Sequence, residues 1–270
     1  MKENMKKIFK SDGRTLILAM DFGPMGKVPV DDPSPLIAEA CKAGVDSVLA
    51  TYGMVKHFRD SFKDSSIIMR VDAFPTLLAP MGQYDAPDTY FDAQTAYDLG
   101  VQGIISNGYV GRNVGGRVID VESQKVVTRL ARQADKLGIA YCCEIMPYNT
   151  TPMVKDEEEK KKIRSVDAMK VACRIAAEMG ADFVKAQWTG PEFTQVLKNT
   201  YVPVVALGGP YNDDPRVTLE YVRGALDAGC SGVAIGRNIY GSKNIKGIVS
   251  ALKVLIHDDA TVDEALKEIK

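Results

Sequence analysis

Residues 166–190 read VDAMKVACRIAAEMGADFVKAQWTG. Val166, Met169, Ala172, Cys173, Ala176 and Ala177 recur at three- and four-residue spacing, the pattern of a helix with one buried face. Gly180 then stands where a helix ends on a left-handed residue, and 181–186, ADFVKA, is a short apolar run of strand length. Helix, glycine and buried strand make one unit of an α/β fold.

The unit repeats in both directions along the chain. Short apolar runs occupy 15–20 (TLILAM), 45–50 (VDSVLA), 66–71 (SIIMRV), 101–106 (VQGIIS), 139–145 (IAYCCEI), 202–207 (VPVVAL) and 231–236 (SGVAIG), which with 181–186 gives eight. Between them lie amphipathic stretches such as SPLIAEACKAG, QKVVTRLARQADKLG and RVTLEYVRGALDAGC, and Gly44, Gly138 and Gly229 end helices as Gly180 does. Continuously apolar strands belong to a parallel sheet covered by helices. Eight βα units in 270 residues predict closure into a single-domain (β/α)8 TIM barrel spanning 1–270. The competing doubly wound sheet lacks its signals: no GxGxxG turn follows 15–20, and no P-loop lysine motif occurs. Two segments read as insertions, 73–90, rich in proline and turn residues, and 149–164, whose KDEEEKKKIR end predicts a solvated, salt-bridged helix start.

Composition narrows the function. Thirty-four Lys and Arg against 35 Asp and Glu give a net charge of −1, which points away from nucleic acid and from anionic membranes and toward a small-molecule partner. No apolar run reaches membrane-span length and the start, MKENMKKIFKSDGR, has no apolar core of a secretion signal, so a cytoplasmic location is expected. The five cysteines, Cys41, Cys142, Cys143, Cys173 and Cys230, lie in apolar segments and read as core residues, with Cys142 and Cys143 facing opposite ways on one strand. His57 and His257 are the two histidines, each in a helical segment, which argues against a histidine-rich metal site. Nothing calls for a metal or a cofactor.

In such a barrel, catalytic groups stand at the C-terminal ends of strands and in the loops after them. Those positions hold Asp21, Asp72, Asn107 before a glycine-rich stretch (GYVGRNVGGR), Glu144, Tyr148, Lys185, Gly208-Gly209 and Gly236-Arg237-Asn238. Lys185 is the sharpest feature, because a lysine inside an apolar strand of a closed barrel points either into the barrel or among the covering helices. An inward amine near the mouth, stripped of water, favours its neutral form and can attack a carbonyl to form a Schiff base. The plainer reading is an ammonium paired with Glu144 or Asp21. Asp21 reads equally as a reacting carboxylate or as a turn or helix cap, and Tyr148 as a proton-donating phenol or a packing aromatic. Gly208, Gly209, Gly236 and Arg237 end the last two strands, where barrels often hold phosphate on backbone N–H groups. Arg112 and Arg117 read either as a second anion site or as a surface loop.

GADFVKAQWTG, VPVVALGGP and GCSGVAIGRNIYG, with AMDFG near the start and MPY after the fifth strand, resemble the class I, Schiff-base aldolases of the archaeal fructose-bisphosphate aldolase type. That group includes aminodideoxyheptulosonate synthase and the thiolase that degrades phosphorylated autoinducer-2. The resemblance implies Lys185 as the Schiff-base lysine, Tyr148 as the acid/base phenol, Asp21 as the assisting carboxylate, and Gly208, Gly209, Gly236 and Arg237 as the phosphate site. It also implies a phosphorylated keto sugar as substrate and a homo-oligomer, a ring of five or ten. The chain departs from the pattern at Phe22, where the family motif DHG has His, at Met146, where the archaeal aldolases carry Trp, and in YNDD after GGP. These changes alter pocket walls and leave the imine machinery. Alternatives are acyl or ketol transfer on the same lysine, as in the thiolase and heptulosonate synthase relatives, and a non-catalytic phosphosugar-binding barrel. A phosphosugar decarboxylase or isomerase is disfavoured because the DxKxxD strand motif is absent from the run Asp182 to Gln187.

Overall fold

In a computed structural model, residues 2–73, 87–114, 117–147, 156–163 and 165–269 are described. Eight parallel strands close a barrel: β1 (Thr15–Ala19), β2 (Ser47–Ala50), β3 (Ser66–Arg70), β4 (Gly103–Val110), β5 (Ala140–Pro147), β6 (Phe183–Ala186), β7 (Val204–Leu207) and β8 (Gly232–Ile235). They pair in chain order, and β1 pairs β8 to complete the ring. Each strand is followed by a helix: α1 (Pro33–Ala43), α2 (Tyr52–His57), α3 (Ala93–Asp98), α4 (Asp120–Leu137), α5 (Val166–Glu178), α6 (Thr194–Lys198), α7 (Pro215–Asp227) and α8 (Ile245–His257). This is the (β/α)8 architecture that the strand spacing predicts.

Local chemistry sets the helix ends. Asp32, Thr51, Asp92, Ser165, Asp214 and Asn244 each accept a backbone N–H in the first turn with their side chains, satisfying donors that would otherwise be orphaned. Gly44 and Gly138 close α1 and α4 at φ 113° and 69°, as the sequence predicts. The acidic-basic run does begin a helix, Glu157–Ile163, with Lys161 paired to Glu158 at 2.7 Å. No helix among the described residues is long and apolar enough to cross a membrane.

The core has two parts. One lies between strands and helices, where Cys143, Cys173 and Cys230 pack with the outward faces of the strands. The other fills the barrel itself: Ile17, Leu49, Ile68, Ile105, Cys142, Phe183, Val205 and Ala234 point inward, and Met5, Ile8 and Phe9 from the short helix Glu3–Ile8 and its end close the floor beneath them. The Phe9 ring meets Phe183 edge-on at 5.2 Å, an arrangement that adds about 0.5–1.5 kcal/mol to the burial itself.

One reading is corrected. GYVGRNVGGR begins inside a strand: β4 and β5 stay paired from Gly103↔Ala140 to Val110↔Pro147, so Asn107, just past the run 101–106, is a strand residue, while Glu144 lies in the strand that the run 139–145 predicts. Gly108 explains the extension. A Cβ there would lie 2.7 Å from both Cys143 Sγ and Ile145 Cδ1, so this glycine permits close packing and does not mark a turn.

Candidate active site

Side chains two apart on a strand face the same way. Above the inward apolar layer, Ile68 is therefore followed by Arg70, Ile105 by Asn107, Cys142 by Glu144 and Phe183 by Lys185. Asp21 keeps the same parity beyond β1. A dry hydrocarbon layer thus carries a charged layer at the barrel mouth.

Arg70 is the hub of that layer. Its Nε donates to Asp21 Oδ2 at 2.7 Å, Nη1 to Asp72 Oδ1 at 3.1 Å and Asn107 Oδ1 at 3.3 Å, and Nη2 to Glu144 Oε2 at 2.5 Å. Lys185 Nζ lies 3.0 Å from the same Glu144 oxygen, and the two residues are register partners on adjacent strands. All are buried: Asp21 is 6% exposed, Arg70 6%, Glu144 9% and Lys185 5%. Burial pushes the Glu144 carboxyl up, but Lys185 and Arg70 overcome it and hold the group well below the usual carboxylate range. Asp72 moves the other way: burial raises it more than Arg70 and the Asn107 N–H lower it. Burial disfavours the charged guanidinium of Arg70, yet Asp21, Asp72 and Glu144 together hold its pKa well above the ordinary value.

The layer opens onto a cavity of about 850 Å3 at the C-terminal ends of the strands, a size suited to a small metabolite. Lys185 and Asp21 line it with Lys27 and Arg237, and its walls include Phe22, Met146, Met169, Trp188, Tyr221 and Tyr240. Gly208, Gly209 and Gly236 form its rim on β7 and β8. Neither Gly208 nor Gly236 tolerates a side chain: a Cβ would stand 2.7 Å from Ile235 Cα or 2.6 Å from the Ala19 carbonyl oxygen. Asn238 ties the two loops together, donating to Gly208 O at 3.1 Å and Pro210 O at 3.0 Å while accepting from Asn212 N at 3.0 Å.

The structure therefore joins Lys185, Asp21, Gly208, Gly209, Gly236 and Arg237 around one cavity, with Glu144 bonded to Lys185 beneath it. Lys185 points inward, and the paired reading holds as well, with Glu144 as partner. Asp21 is bonded to Arg70 and caps no helix. Tyr148 lies outside the described residues. Arg112 is buried with its guanidinium 4.1 Å over the Tyr109 ring, and Arg117 pairs with Glu122, so neither stands ready for a second anion. The cysteines are buried and unpaired with one another, and burial lifts Cys143 to about 12, far from a reactive thiolate. Arg70 and Asn238 are the residues that sequence reasoning left without a role. Arg70 carried a signal, since a charged residue at the end of the apolar run 66–71 faces the same inside-or-outside choice as Lys185.

The chain is similar over nearly its whole length to known aldolases. An uncharacterised aldolase of Saccharolobus solfataricus is 27% identical, with 98% of this chain and 97% of the relative covered. The 2-amino-3,7-dideoxy-D-threo-hept-6-ulosonate synthase of Halobacterium salinarum is 30% identical over 95% and 91%. A solved Schiff base-forming fructose-1,6-bisphosphate aldolase superposes with TM-score 0.80 at 26% identity, covering 95% of this chain and 99% of that one. Residues 6–242 match the model of the DeoC/LacD family aldolases. On that match and that barrel, the chain belongs to the DeoC/LacD aldolase family and is a carbon–carbon lyase of the class I type.

Proposed function

We propose that the chain cleaves or forms a carbon–carbon bond in a phosphorylated keto sugar through a Schiff base on Lys185. The observation that carries this reading is the Lys185 amine, buried at the barrel mouth and lining the cavity. Lys185 gives up one proton and adds to the substrate ketone as the free amine; a proton returned to the carbinolamine hydroxyl lets it leave as water, and a protonated imine remains. That imine draws in the electron pair of the adjacent carbon–carbon bond as it breaks, while a base takes the proton of the departing carbon's hydroxyl and gives an aldehyde. Asp21 is suited to that proton: it lines the cavity, and Arg70 holds its Oδ2. Tyr148 is proposed as the second acid/base group. The rim of Gly208, Gly209, Gly236 and Arg237 would receive the phosphate, with Arg237 Nη2 already held by Gly209 O at 3.2 Å.

Similarity to the fructose-1,6-bisphosphate aldolase supports a phosphorylated donor and leaves the acceptor to the walls, which are largely apolar here. A homo-oligomeric ring of five or ten is part of the proposal and is read by light scattering. The function is tested by borohydride reduction with dihydroxyacetone phosphate, fructose 1,6-bisphosphate and unphosphorylated ketones, followed by intact mass and peptide mapping. An adduct on Lys185, absent in Lys185→Met together with turnover, is expected. Substantial turnover by folded Lys185→Met would sink the Schiff-base reading.

A further inference from the structure

The charged layer holds one group whose place relative to the reacting atom is fixed twice. Glu144 Oε2 accepts Lys185 Nζ from β6 at 3.0 Å and Arg70 Nη2 from β3 at 2.5 Å. Glu144 stands on β5 between the two, with Asn107 as its register partner on β4 and Lys185 on β6. Asp21 and Asp72 occupy other nitrogens of the same guanidinium, so Arg70 is restrained from three sides and cannot turn without breaking buried bonds.

Resting on the Schiff-base reading, we propose that Glu144 is the fixed counter-ion of the Lys185 nitrogen in the iminium intermediate. Arg70 is the positioning residue that keeps this carboxylate ionised and aimed. The atom balance makes the role specific. An ammonium and a ketone give a protonated iminium and one water: the nitrogen's two lost protons leave in that water, the carbonyl oxygen becomes its oxygen, and a C=N bond replaces C=O. Nitrogen begins and ends with one positive charge, and is neutral at the carbinolamine between. A carboxylate 3.0 Å away therefore stabilises the two charged ends over the neutral middle. It pulls the carbinolamine toward dehydration, the step that creates the electron sink.

For that purpose the carboxylate must not pick up the proton that the amine gives away. Arg70 supplies this. Its guanidinium stays charged when the lysine nitrogen does not, so Glu144 keeps a cation against the same oxygen at every stage. The strong depression of the Glu144 carboxyl by its two cations agrees with that assignment. Among the described residues, Arg70 from β3 and Lys185 from β6 bond Glu144, Asn107 is its register partner on β4, and Asp72 is near enough to Glu144 to be felt electrostatically.

The test measures how adduct divides between carbinolamine and iminium, a ratio that a merely structural ion pair would leave alone. Wild type, Glu144→Gln, Glu144→Asp, Arg70→Lys and Arg70→Met are saturated with dihydroxyacetone phosphate labelled with carbon-13 at the carbonyl. Carbon-13 NMR distinguishes the two adducts, and borohydride captures the iminium alone. Glu144→Gln, which keeps shape and loses charge, is expected to lower the iminium-to-carbinolamine ratio and the borohydride capture rate at least tenfold. Arg70→Lys should retain more capture than Arg70→Met. An unchanged ratio in folded Glu144→Gln, with wild type trapping normally, overturns the counter-ion role. Should Glu144→Gln fail to fold, Glu144→Asp decides: drawing the carboxylate back by one methylene must lower the ratio, and an unchanged ratio again overturns the proposal. Absence of any adduct in wild type is a different result, because it removes the Schiff-base reading itself.

Discussion

Gly208→Ala is the most direct probe of the rim that β7 and β8 present to the cavity. The added methyl would lie 2.7 Å from both Cα and Cγ1 of Ile235 and 2.8 Å from its Cβ, and none of these is the free end of a flexible chain. To reach ordinary contact the two strands must open by about 0.7 Å, an overpacking that costs about 1–3 kcal/mol. The opening falls where Gly208 N donates to Ala234 O at 2.9 Å and where Asn238 holds Gly208 O, so the loop that would face the phosphate moves with it. A displacement of this order at a positioning element costs on the order of 100-fold in rate. Lys185 sits on β6, and its contact to Glu144 runs away from the displaced pair. We therefore expect kcat/KM for a phosphorylated donor to fall about 100-fold, with borohydride trapping of an unphosphorylated ketone changed by less than about threefold. Gly209→Ala is a milder change on the same rim: the atoms nearest its methyl belong to the Tyr221 ring, at 3.3 Å, and its φ of 69° costs about 1 kcal/mol. Equal losses with both donors would refute the phosphate-rim reasoning, and full activity with the phosphorylated donor would refute the rigidity of the β7–β8 contact.

Three other perturbations have defined outcomes. Asp21→Asn should lower kcat on the order of 10²- to 10⁴-fold with little change in KM, the loss typical of a missing proton-transfer group; a KM effect alone would assign Asp21 to binding. Phe9→Ala should cost about 3–5 kcal/mol in denaturant unfolding, because Phe9 is 4% exposed and packed on Phe183, and a loss under about 1 kcal/mol would mean the floor readily collapses. His257 is bonded through Nδ1 to Asp12 at 2.7 Å and through Nε2 to Asp46 at 2.9 Å. Burial opposes its charge, but the two carboxylates raise its pKa above the ordinary imidazole value. Its stabilisation is then fully present below about pH 6.5 and is lost as pH rises through the raised folded value. Thermal unfolding of wild type and His257→Gln should differ most at low pH and converge above it, and a constant difference would refute the charge argument.

The eight strands were legible because a strand buried on both faces writes its whole length in apolar residues, and glycine marks the joints between units. Lys185 was legible for the same reason: a charge inside 181–186 has few places to go. Arg70 was harder to see, since a polar residue at the end of 66–71 resembles any strand terminus. Its meaning lies in Asp21, Asn107 and Glu144, separated from it by 49, 37 and 74 positions, and appears only when the ring closes. The full length of β4 was hidden for a related reason. A glycine admitted for close packing against Cys143 and Ile145 is indistinguishable, along the chain, from a glycine that turns it.

The floor formed by Met5, Ile8 and Phe9 gives the barrel a sense of direction. Hydrocarbon lies below the charged layer and solvent above it, so the reacting nitrogen exchanges matter with its surroundings from one side. On the proposed mechanism, water released by dehydration, hydrogen delivered to the enamine carbon and the departing aldehyde would all share the passage past Asp21 and the rim. A reaction run in deuterated water would then place its label on the face of the product turned to the acid/base group at the mouth.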